Sequence, residues 1–146
     1  MEERDERGGA VRVGLIWGGI GGVVGFLVSL LGSLVGILVA GFIGFSCGRR
    51  AAVAGRRAGA LSGLVSGAVA APMYVLGSTL GALLTGRQIG AAEIATTLSE
   101  VLGTQVSADE AWIYFLFSLV LSAILEAVIL VSVSSAAGAW ANREEN

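Results

Sequence analysis

The sequence predicts an all-α integral membrane protein, a four-helix bundle with a short, tight first hairpin and glycine-zipper packing between its helices. Three observations predict this fold. The composition is too apolar for a soluble domain of 146 residues, since 55% of the residues are hydrophobic, 14% are charged and the mean hydropathy is +0.83. The charges lie in short islands between long neutral stretches. Small residues recur at every fourth position along those stretches, as they do where membrane helices pack closely.

The chain begins with a short segment of mixed charge, residues 1–9, which we expect to be a flexible charged N-terminus before a single transmembrane domain at 10–142. No charged residue occurs over the 36 positions from Val13 to Gly48. As one helix this stretch would extend about 54 Å, well beyond a hydrocarbon core of about 30 Å. It is therefore predicted to form two spans joined by a tight turn near Gly32.

Two further neutral stretches predict two more spans. The first runs from Ala58 to Gly86. The second, from Ala111 to Asn142, carries aromatic residues near both ends, as membrane interfaces favour, and a single charged residue, Glu126. The four predicted spans are 11–30, 33–49, 58–84 and 111–140.

The nine basic residues, all arginine, favour four spans over three because cytoplasmic loops collect basic residues. With four spans, both termini and the second loop share one side of the membrane, and only Arg87 lies on the other side. With three spans, the arginines divide five against four. The sequence therefore predicts a multi-pass plasma-membrane protein with both termini in the cytoplasm. The predicted determinants of this topology are Arg49, Arg50, Arg56 and Arg57.

The predicted external loop, residues 85–110, is acidic on balance. Its apolar residues at helical spacing are Ile94, Leu98, Val101 and Leu102. We expect either an amphipathic helix at about 91–103 or a solvated connector with a turn or two of helix. Ser107, followed three residues later by Glu110, predicts a capping box at the start of the last span.

Glycines at four-residue spacing predict where the helices touch, because lipid tails are as apolar as leucine and membrane helices associate through close packing. Glycine is also common in membrane helices, so some of these spacings occur by chance. The predicted packing residues are Gly14, Gly18, Gly22, Gly32, Gly36, Gly44, Gly55, Gly59, Gly63 and Gly67. Their contacts could lie within one chain or between chains. The expected partners are therefore the lipid bilayer and either a second copy or another membrane protein.

Pro72 is predicted to kink the third span, because proline removes one backbone donor and clashes with the preceding turn. Glu126 lies near the middle of the fourth span, where an ionised side chain costs about 2.5–3.5 kcal/mol. Ser122 and Ser118 precede it at four-residue spacing, and we expect the three to form a polar face inside the bundle. Two interpretations stay open: a proton- or cation-linked site in a small cavity, or a neutral, hydrogen-bonded acid that only fixes packing.

The composition argues against an enzyme. Histidine, the usual general base and a common metal ligand, is absent, and Cys47 is the only cysteine. The only aspartates, Asp5 and Asp109, lie outside the predicted spans, which excludes a paired-aspartate intramembrane protease. The arginine loop lacks the interleaved aromatic residues expected of a nucleic-acid site. We expect no catalytic residues, no metal, no cofactor and no nucleic-acid partner.

The block ILVAGFIGFSCGRRAAVAGRRAGALSGLVSGAVAAP, residues 37–72, places an arginine loop between two helices rich in small residues. This arrangement resembles small multi-pass membrane proteins of halophilic archaea that are grouped as a domain of unknown function. The absence of lysine and a pI of about 5.1 suit a salt-loving source. The likeness covers Val13 to Trp140 and implies no activity. Proline is common around the first hairpin turn in that family and is absent from this turn.

Two functional classes follow from the sequence. The first is a small integral membrane protein with a structural or helix-mediated interaction role. The alternative is a subunit of a transporter or channel that conducts protons, ions or a small solute and uses Glu126.

Overall fold

The protein is described here by a computed structural model, which covers residues 2–30, 33–54 and 59–144, with side chains at 8–30, 35–54 and 59–143. Every regular element in these ranges is a helix, which confirms the predicted all-α fold. The helices are α1 (Glu2–Ser29), α2 (Ser33–Ala54), α3 (Gly59–Ile89), α4 (Ala91–Leu102) and α5 (Ala108–Glu144). Four of them, all except α4, are long and apolar enough to cross a membrane. The chain is therefore a multi-pass membrane protein.

Several helices extend beyond the predicted spans. α1 begins at Glu2, so the segment predicted to be flexible forms, from residue 2, the first turns of a helix. That segment contains no proline, so nothing in it removes a backbone donor from the helix. α3 continues to Ile89 and ends where Gly90 has a φ of 89°, a conformation that L side chains rarely adopt.

Each of the four long helices packs on two or three of the others. α1 packs on α2 and α3, and α5 packs on the same two helices, while α1 and α5 make no contact within the described residues. Helices adjacent in the chain run antiparallel, so α1 is parallel to α3 and α2 is parallel to α5. α2 and α3 also touch each other, which brings the centre of the bundle to a point between these two helices.

Glycines lie at the closest approaches between neighbouring helices. A methyl group added at Gly14 would lie 2.6 Å from the carbonyl oxygen of Ser66, and one at Gly44 would lie 2.6 Å from that of Leu130. The predicted packing glycines within the described residues all face another helix of the same chain; they are Gly14, Gly18, Gly22, Gly36, Gly44, Gly59, Gly63 and Gly67. Gly32 and Gly55 lie outside the described residues.

α3 continues through Pro72 as one helix of 31 residues. The proline ring is exposed on the outer surface of α3, and small residues on the opposite face, Ala70 and Ala71, are buried. The missing backbone donor at Pro72 therefore does not end the helix.

Arginines and aromatic rings lie together at one end of the bundle. Arg50 lies 5.1 Å from the centre of the Trp17 ring, and Arg49 lies 5.9 Å from that of Phe45, both within the range of cation–π attraction. Trp140 packs on Phe45 with ring centres 6.2 Å apart. Arg56 and Arg57, the other two predicted topology determinants, lie outside the described residues.

The paired helices α1 and α2 are shorter than the two helices beside them. Ser29, the last residue of α1, lies against Gly81, and α3 continues for eight more residues, or about 12 Å. α4 packs on the projecting parts of α3 and α5. α3, α4 and α5 therefore surround a space beyond the ends of α1 and α2, on the side opposite the arginine end.

Candidate functional site

Glu126 on α5 is buried, with an exposed fraction of 4%. It faces Gly36 on α2, which is 12 residues, or about 18 Å of helix rise, from Gly48 beside the arginine pair. In a hydrocarbon core of about 30 Å, this depth is close to the middle. The carboxyl group therefore lies where a membrane protein has the least water to solvate a charge.

Three helices supply the surroundings of this carboxyl group. The Ser78 hydroxyl on α3 donates a hydrogen bond of 2.6 Å to Oε2 of Glu126. A methyl group at Gly36 on α2 would lie 2.9 Å from Oε1, so the carboxyl fits there because residue 36 has no side chain. The Tyr74 hydroxyl donates a 2.6 Å hydrogen bond to the Gly36 carbonyl, which fixes α2 against α3 at the same depth.

Ser122 and Ser118 are the two residues that the sequence places with Glu126. Ser122 is half-buried and lines the same cavity as Glu126. Ser118 is exposed, and its hydroxyl donates to the carbonyl of Phe115 on its own helix. The structure therefore brings one predicted serine to the carboxyl group and leaves the other further along α5, because eight residues of helix rotate a side chain away from the starting face.

A small cavity of about 60 Å³ opens beside Glu126. Its polar wall residues include Ser29, Ser78 and Ser122, one from each of α1, α3 and α5. A cavity needs about 10–15 Å³ to hold a water molecule, so this space admits a few. Glu126 is thus buried in protein and still next to a space that water can occupy.

The small cavity adjoins a larger one of about 570 Å³ beneath α4, which we call the outer cavity. The two share Ser29, Ala82, Leu119 and Ser122 as wall residues. The outer cavity extends along α5 as far as Tyr114, 12 residues or about 18 Å from Glu126. The carboxyl group therefore lies at the inner end of a continuous depression that starts at the loop side of the bundle.

Toward the arginine end, the site is closed by apolar packing. Ala40, Ala70 and Leu130 are completely buried and lie in one cluster with the ring of Tyr74. Beyond this layer a second polar group occurs, in which the Ser134 hydroxyl donates 2.7 Å to the Gly63 carbonyl. The apolar layer separates the two polar groups, so the site is open toward α4 and closed on the opposite side.

Helix α4 covers the outer cavity. Glycines at its two ends and a cap at the start of α5 determine its position. Gly90 and Gly103 have φ values of 89° and 67°, and they form the turns at the two ends of α4. The predicted capping box is confirmed, because the backbone N–H of Ser107 donates to Glu110 Oε2 at 2.9 Å and the N–H of Glu110 donates to Ser107 Oγ at 3.3 Å. These contacts fix where α5 begins.

α4 is the helix that occurs in the predicted external loop. Ile94 and Leu98 are half-buried and line the outer cavity, and Ala95 is buried. Val101 and Leu102, which share the predicted apolar stripe, are 78% and 56% exposed. The amphipathic face is therefore divided between the bundle and its surroundings.

Tyr74 and Ser78 are the site residues that the sequence analysis missed. They are spaced four apart and continue the line of small and polar residues that begins with Ser66 and Ala70 on the buried face of α3. A polar side chain on a buried membrane-helix face commonly bonds a neighbouring helix. That signal was present, but it gave no partner, because the pairing of Ser78 with Glu126 depends on the register between α3 and α5.

Within the described residues, no three cysteine or carboxylate side chains lie close enough together to hold a metal ion. The polar groups around Glu126 are one carboxyl, several hydroxyls and a backbone carbonyl, a set that can hold a proton, water or a cationic group. Comparisons of the chain with protein-family models, with curated proteins and with solved structures find no match.

Proposed function

We propose that this protein is a proton- or cation-linked unit of membrane transport, in which Glu126 is the group that exchanges its proton or cation. The observation that carries the proposal is a buried carboxyl near mid-membrane that lines a cavity with room for water. Ionisable residues at this depth are costly and commonly mark ion pathways or proton relays. A carboxyl that only fixed packing would have no need of an adjoining cavity.

The contacts of the packing glycines support this proposal over self-association through the same helix surfaces. Each predicted packing glycine within the described residues already contacts another helix of its own chain. A second copy would have to displace those helices before it could use the same faces. The glycines therefore favour a rigid bundle around the carboxyl group.

The distribution of the arginines supports an orientation in the membrane. Arg12, Arg49, Arg50 and Arg143 belong to helix ends at one end of the bundle, and Arg87 belongs to the other. Because basic residues collect in the cytoplasm, we infer that the described helix ends at the arginine end face the cytoplasm of a cell bounded by a plasma membrane. The cavity beside Glu126 would then open to the outside.

The test is ion flux through purified protein in liposomes that hold a pH-sensitive dye, with a potassium gradient and valinomycin as the driving force. We expect proton flux above that of empty liposomes, and we expect Glu126→Gln to remove it. The amide oxygen of glutamine can still accept the Ser78 hydrogen bond, so this variant keeps the packing. Glu100→Gln, at an exposed position on α4, is the matched control and should keep the flux.

Three outcomes would contradict the proposal. Flux equal to that of empty liposomes for protons, sodium and potassium would remove the transport role. Flux that survives in Glu126→Gln would remove the carboxyl from the pathway. Equal losses of flux in Glu126→Gln and Glu100→Gln would show that the flux depends on negative charge in general on the α4 side of the bundle. The buried carboxyl would then have no special role.

A helix-mediated interaction role is the second candidate, and α5 favours it. In its most apolar stretch only 11% of the residues are buried, against 22–44% in the other spans. Large side chains such as Ile113, Phe117 and Val120 face outward there. Disulfide crosslinking between copies with Phe117→Cys, compared with Leu38→Cys on the outer face of α2, would show whether a second copy covers this surface.

A further inference from the structure

The outer cavity has walls that are apolar over most of their surface and carry a few polar groups. Phe115, Leu119 and Leu98 form part of the apolar wall, and Ser118 and Thr97 contribute hydroxyls. Binding sites for small organic molecules have this character, with an apolar lining and a few polar groups that fix orientation. A hydrated inorganic ion gains nothing from such walls, whereas an organic molecule does.

The charges around the cavity have one sign. Glu126 lines the adjoining small cavity, and Glu93 on α4 lines the outer cavity. None of the described residues in its walls is basic. Opposite charge in the ligand would offset the cost of keeping carboxylates in a partly apolar space, so the electrostatics select a cation.

The oxygen atoms around Glu126 also distinguish between kinds of cation. Hard metal ions take about six to eight oxygen ligands. Among the described residues that line the small cavity, Glu126 is the one carboxylate, so the site offers a single negative charge to a cation. An ammonium group needs fewer partners, and a carboxylate with one or two hydroxyls such as that of Ser122 is enough.

A second opening lies on the far side of α5. α3 and α5 touch where Ser78 meets Glu126 and again where the Phe115 ring lies on Gly86. A groove of about 830 Å³, almost wholly apolar, runs along the outer surface of the pair past the Ser78–Glu126 contact, from Ala68 and Val131 to Leu83 and Leu116. Thr79, Leu119 and Ala123 line both this groove and the small cavity. The small cavity and the groove on the outer surface are therefore neighbours, separated by these three side chains.

We propose that the cavity binds a lipophilic organic cation, an amine whose ammonium group pairs with Glu126 and whose hydrocarbon part lies along Leu119 and Phe115. The inference rests on the proposed function and names its ligand class. When the amine enters as a cation, the proton of Glu126 leaves through the cavity water to the solvent on the α4 side, so one positive charge replaces another in the site. The distance of about 18 Å from Glu126 to Tyr114 along α5 sets the greatest length that such a ligand can extend inside.

The test compares 4-phenylbutylamine, a cation at neutral pH, with the uncharged 4-phenylbutanol. Binding to the protein in phosphatidylcholine nanodiscs is measured by calorimetry, with empty nanodiscs subtracted. We expect the amine to bind at least 10-fold more tightly than the alcohol. Glu126→Gln should remove this difference, and Glu100→Gln should keep it.

A second pair of variants keeps Glu126 in place. Leu119→Trp adds bulk to the cavity wall and should weaken amine binding at least 10-fold, whereas Leu121→Trp lies on the exposed side of the same helix and should leave it unchanged. This pair tests whether the amine binds in the cavity even where Glu126→Gln fails to fold.

Equal affinity for amine and alcohol, or no effect of Leu119→Trp, would overturn the inference. Sodium binding that depends on Glu126, without amine binding, would assign the site to an inorganic cation and overturn it as well. The two proposals fail separately. Proton flux that requires Glu126 and ignores the amine leaves only the proposed function standing, and amine binding without any flux leaves only the binding site.

Discussion

Gly48 on α2 and Gly63 on α3 approach the same atom, the carbonyl oxygen of Ser134 on α5. Three backbones can converge there only because two of them carry no side chain. The Ser134 hydroxyl also donates a hydrogen bond to the Gly63 carbonyl. The Ser66 hydroxyl lies 3.4 Å from the Ser134 hydroxyl. Single atoms at this junction therefore determine how closely three helices pack.

Gly48→Ala should destabilise the fold, because the new methyl group would overlap the Ser134 carbonyl. Overpacking of this kind costs about 1–3 kcal/mol. Gly41→Ala on the same helix is the matched control, since a methyl group there would meet no atom within 4 Å. Alanine also forms helix better than glycine by about 1 kcal/mol, so the control should be neutral or more stable.

Unfolding of both variants in mixed micelles, followed by circular dichroism as denaturing detergent is added, measures this difference. Equal stability of the two variants would show that the close contact at Gly48 is absent from the folded protein.

Tyr74→Phe removes the hydrogen bond that the Tyr74 hydroxyl on α3 donates to the Gly36 carbonyl on α2. Hydrogen bonds between membrane helices contribute about 0.6 kcal/mol on average and up to about 1.7 kcal/mol. We expect a loss in the upper part of this range, because the ring is completely buried and the Gly36 carbonyl would lose one of its two donors. The midpoint of unfolding by denaturing detergent measures this loss. Tyr114→Phe is the control and should change the midpoint very little, because Tyr114 is 55% exposed.

At the scale of the element, α5 consists of two differently packed halves. The half near the arginine end lies against glycines of α2 and α3, and Ser134, Ala137 and Gly138 are buried. The half near α4 has cavities on two sides and contacts α3 at Gly86 through Phe115. One helix thus provides both the rigid part of the bundle and the wall of the candidate site.

Ser107→Ala should loosen the first turn of α5. The Ser107 hydroxyl accepts from the backbone N–H of Glu110, and removing an N-cap of this type costs about 1 kcal/mol. Hydrogen exchange of the amides at 109–111 should become faster, while the amides near Leu130 keep their rate. Thr96→Ala is the control, because its exposed hydroxyl bonds only to the carbonyl one turn earlier on α4. Unchanged exchange at the start of α5 would contradict the cap.

The sequence predicted most of the elements and little of their pairing. Long neutral stretches identify four apolar helices, because charge is costly in lipid, and Ser107 with Glu110 identifies the start of α5. The four-residue spacing of glycines shows that a face is suited to close packing. It does not name the neighbour, so the contact of Gly44 with Leu130 followed only from the structure.

For the candidate site, the sequence predicted the carboxyl group but neither its hydrogen-bond donor nor the size and position of the cavity. Glu126 is evident from its position as the one charged residue within a long neutral stretch. Its hydrogen-bond donor lies 48 residues earlier in the chain, at Ser78, and nothing local connects the two. The cavity depends on the different lengths of the helices, and helix ends such as that of α3 at Gly90 depend on backbone conformation.

At the scale of the whole molecule, the bundle has two chemically different ends. Arg49 and Arg50 lie with aromatic rings at one end, and the acidic α4 lies at the other. Single cysteines in a Cys47→Ala background test how this polarity is oriented in cells. We expect a membrane-impermeant maleimide to label Gln88→Cys in intact cells and Ala54→Cys only after permeabilisation, since both positions are exposed and belong to opposite ends.

Labelling of both cysteines from the same side would contradict the arrangement of four membrane-crossing helices. The reverse pattern would keep that arrangement and invert its orientation. Leu130→Cys, completely buried in the bundle, should resist the reagent under both conditions and serves as the control for folding.

The parallel pairing of α1 with α3 and of α2 with α5 has a consequence for biosynthesis. Gly18 on α1 lies against Ala70, and Gly44 on α2 lies against Leu130, so each glycine face fits a helix that the ribosome makes later. The α1–α2 pair is therefore synthesised before either of its final neighbours, α3 and α5, exists. Assembly of this protein is therefore completed after α5 has entered the bilayer, and until then the early helices depend on the insertion machinery or on lipid to cover their grooves.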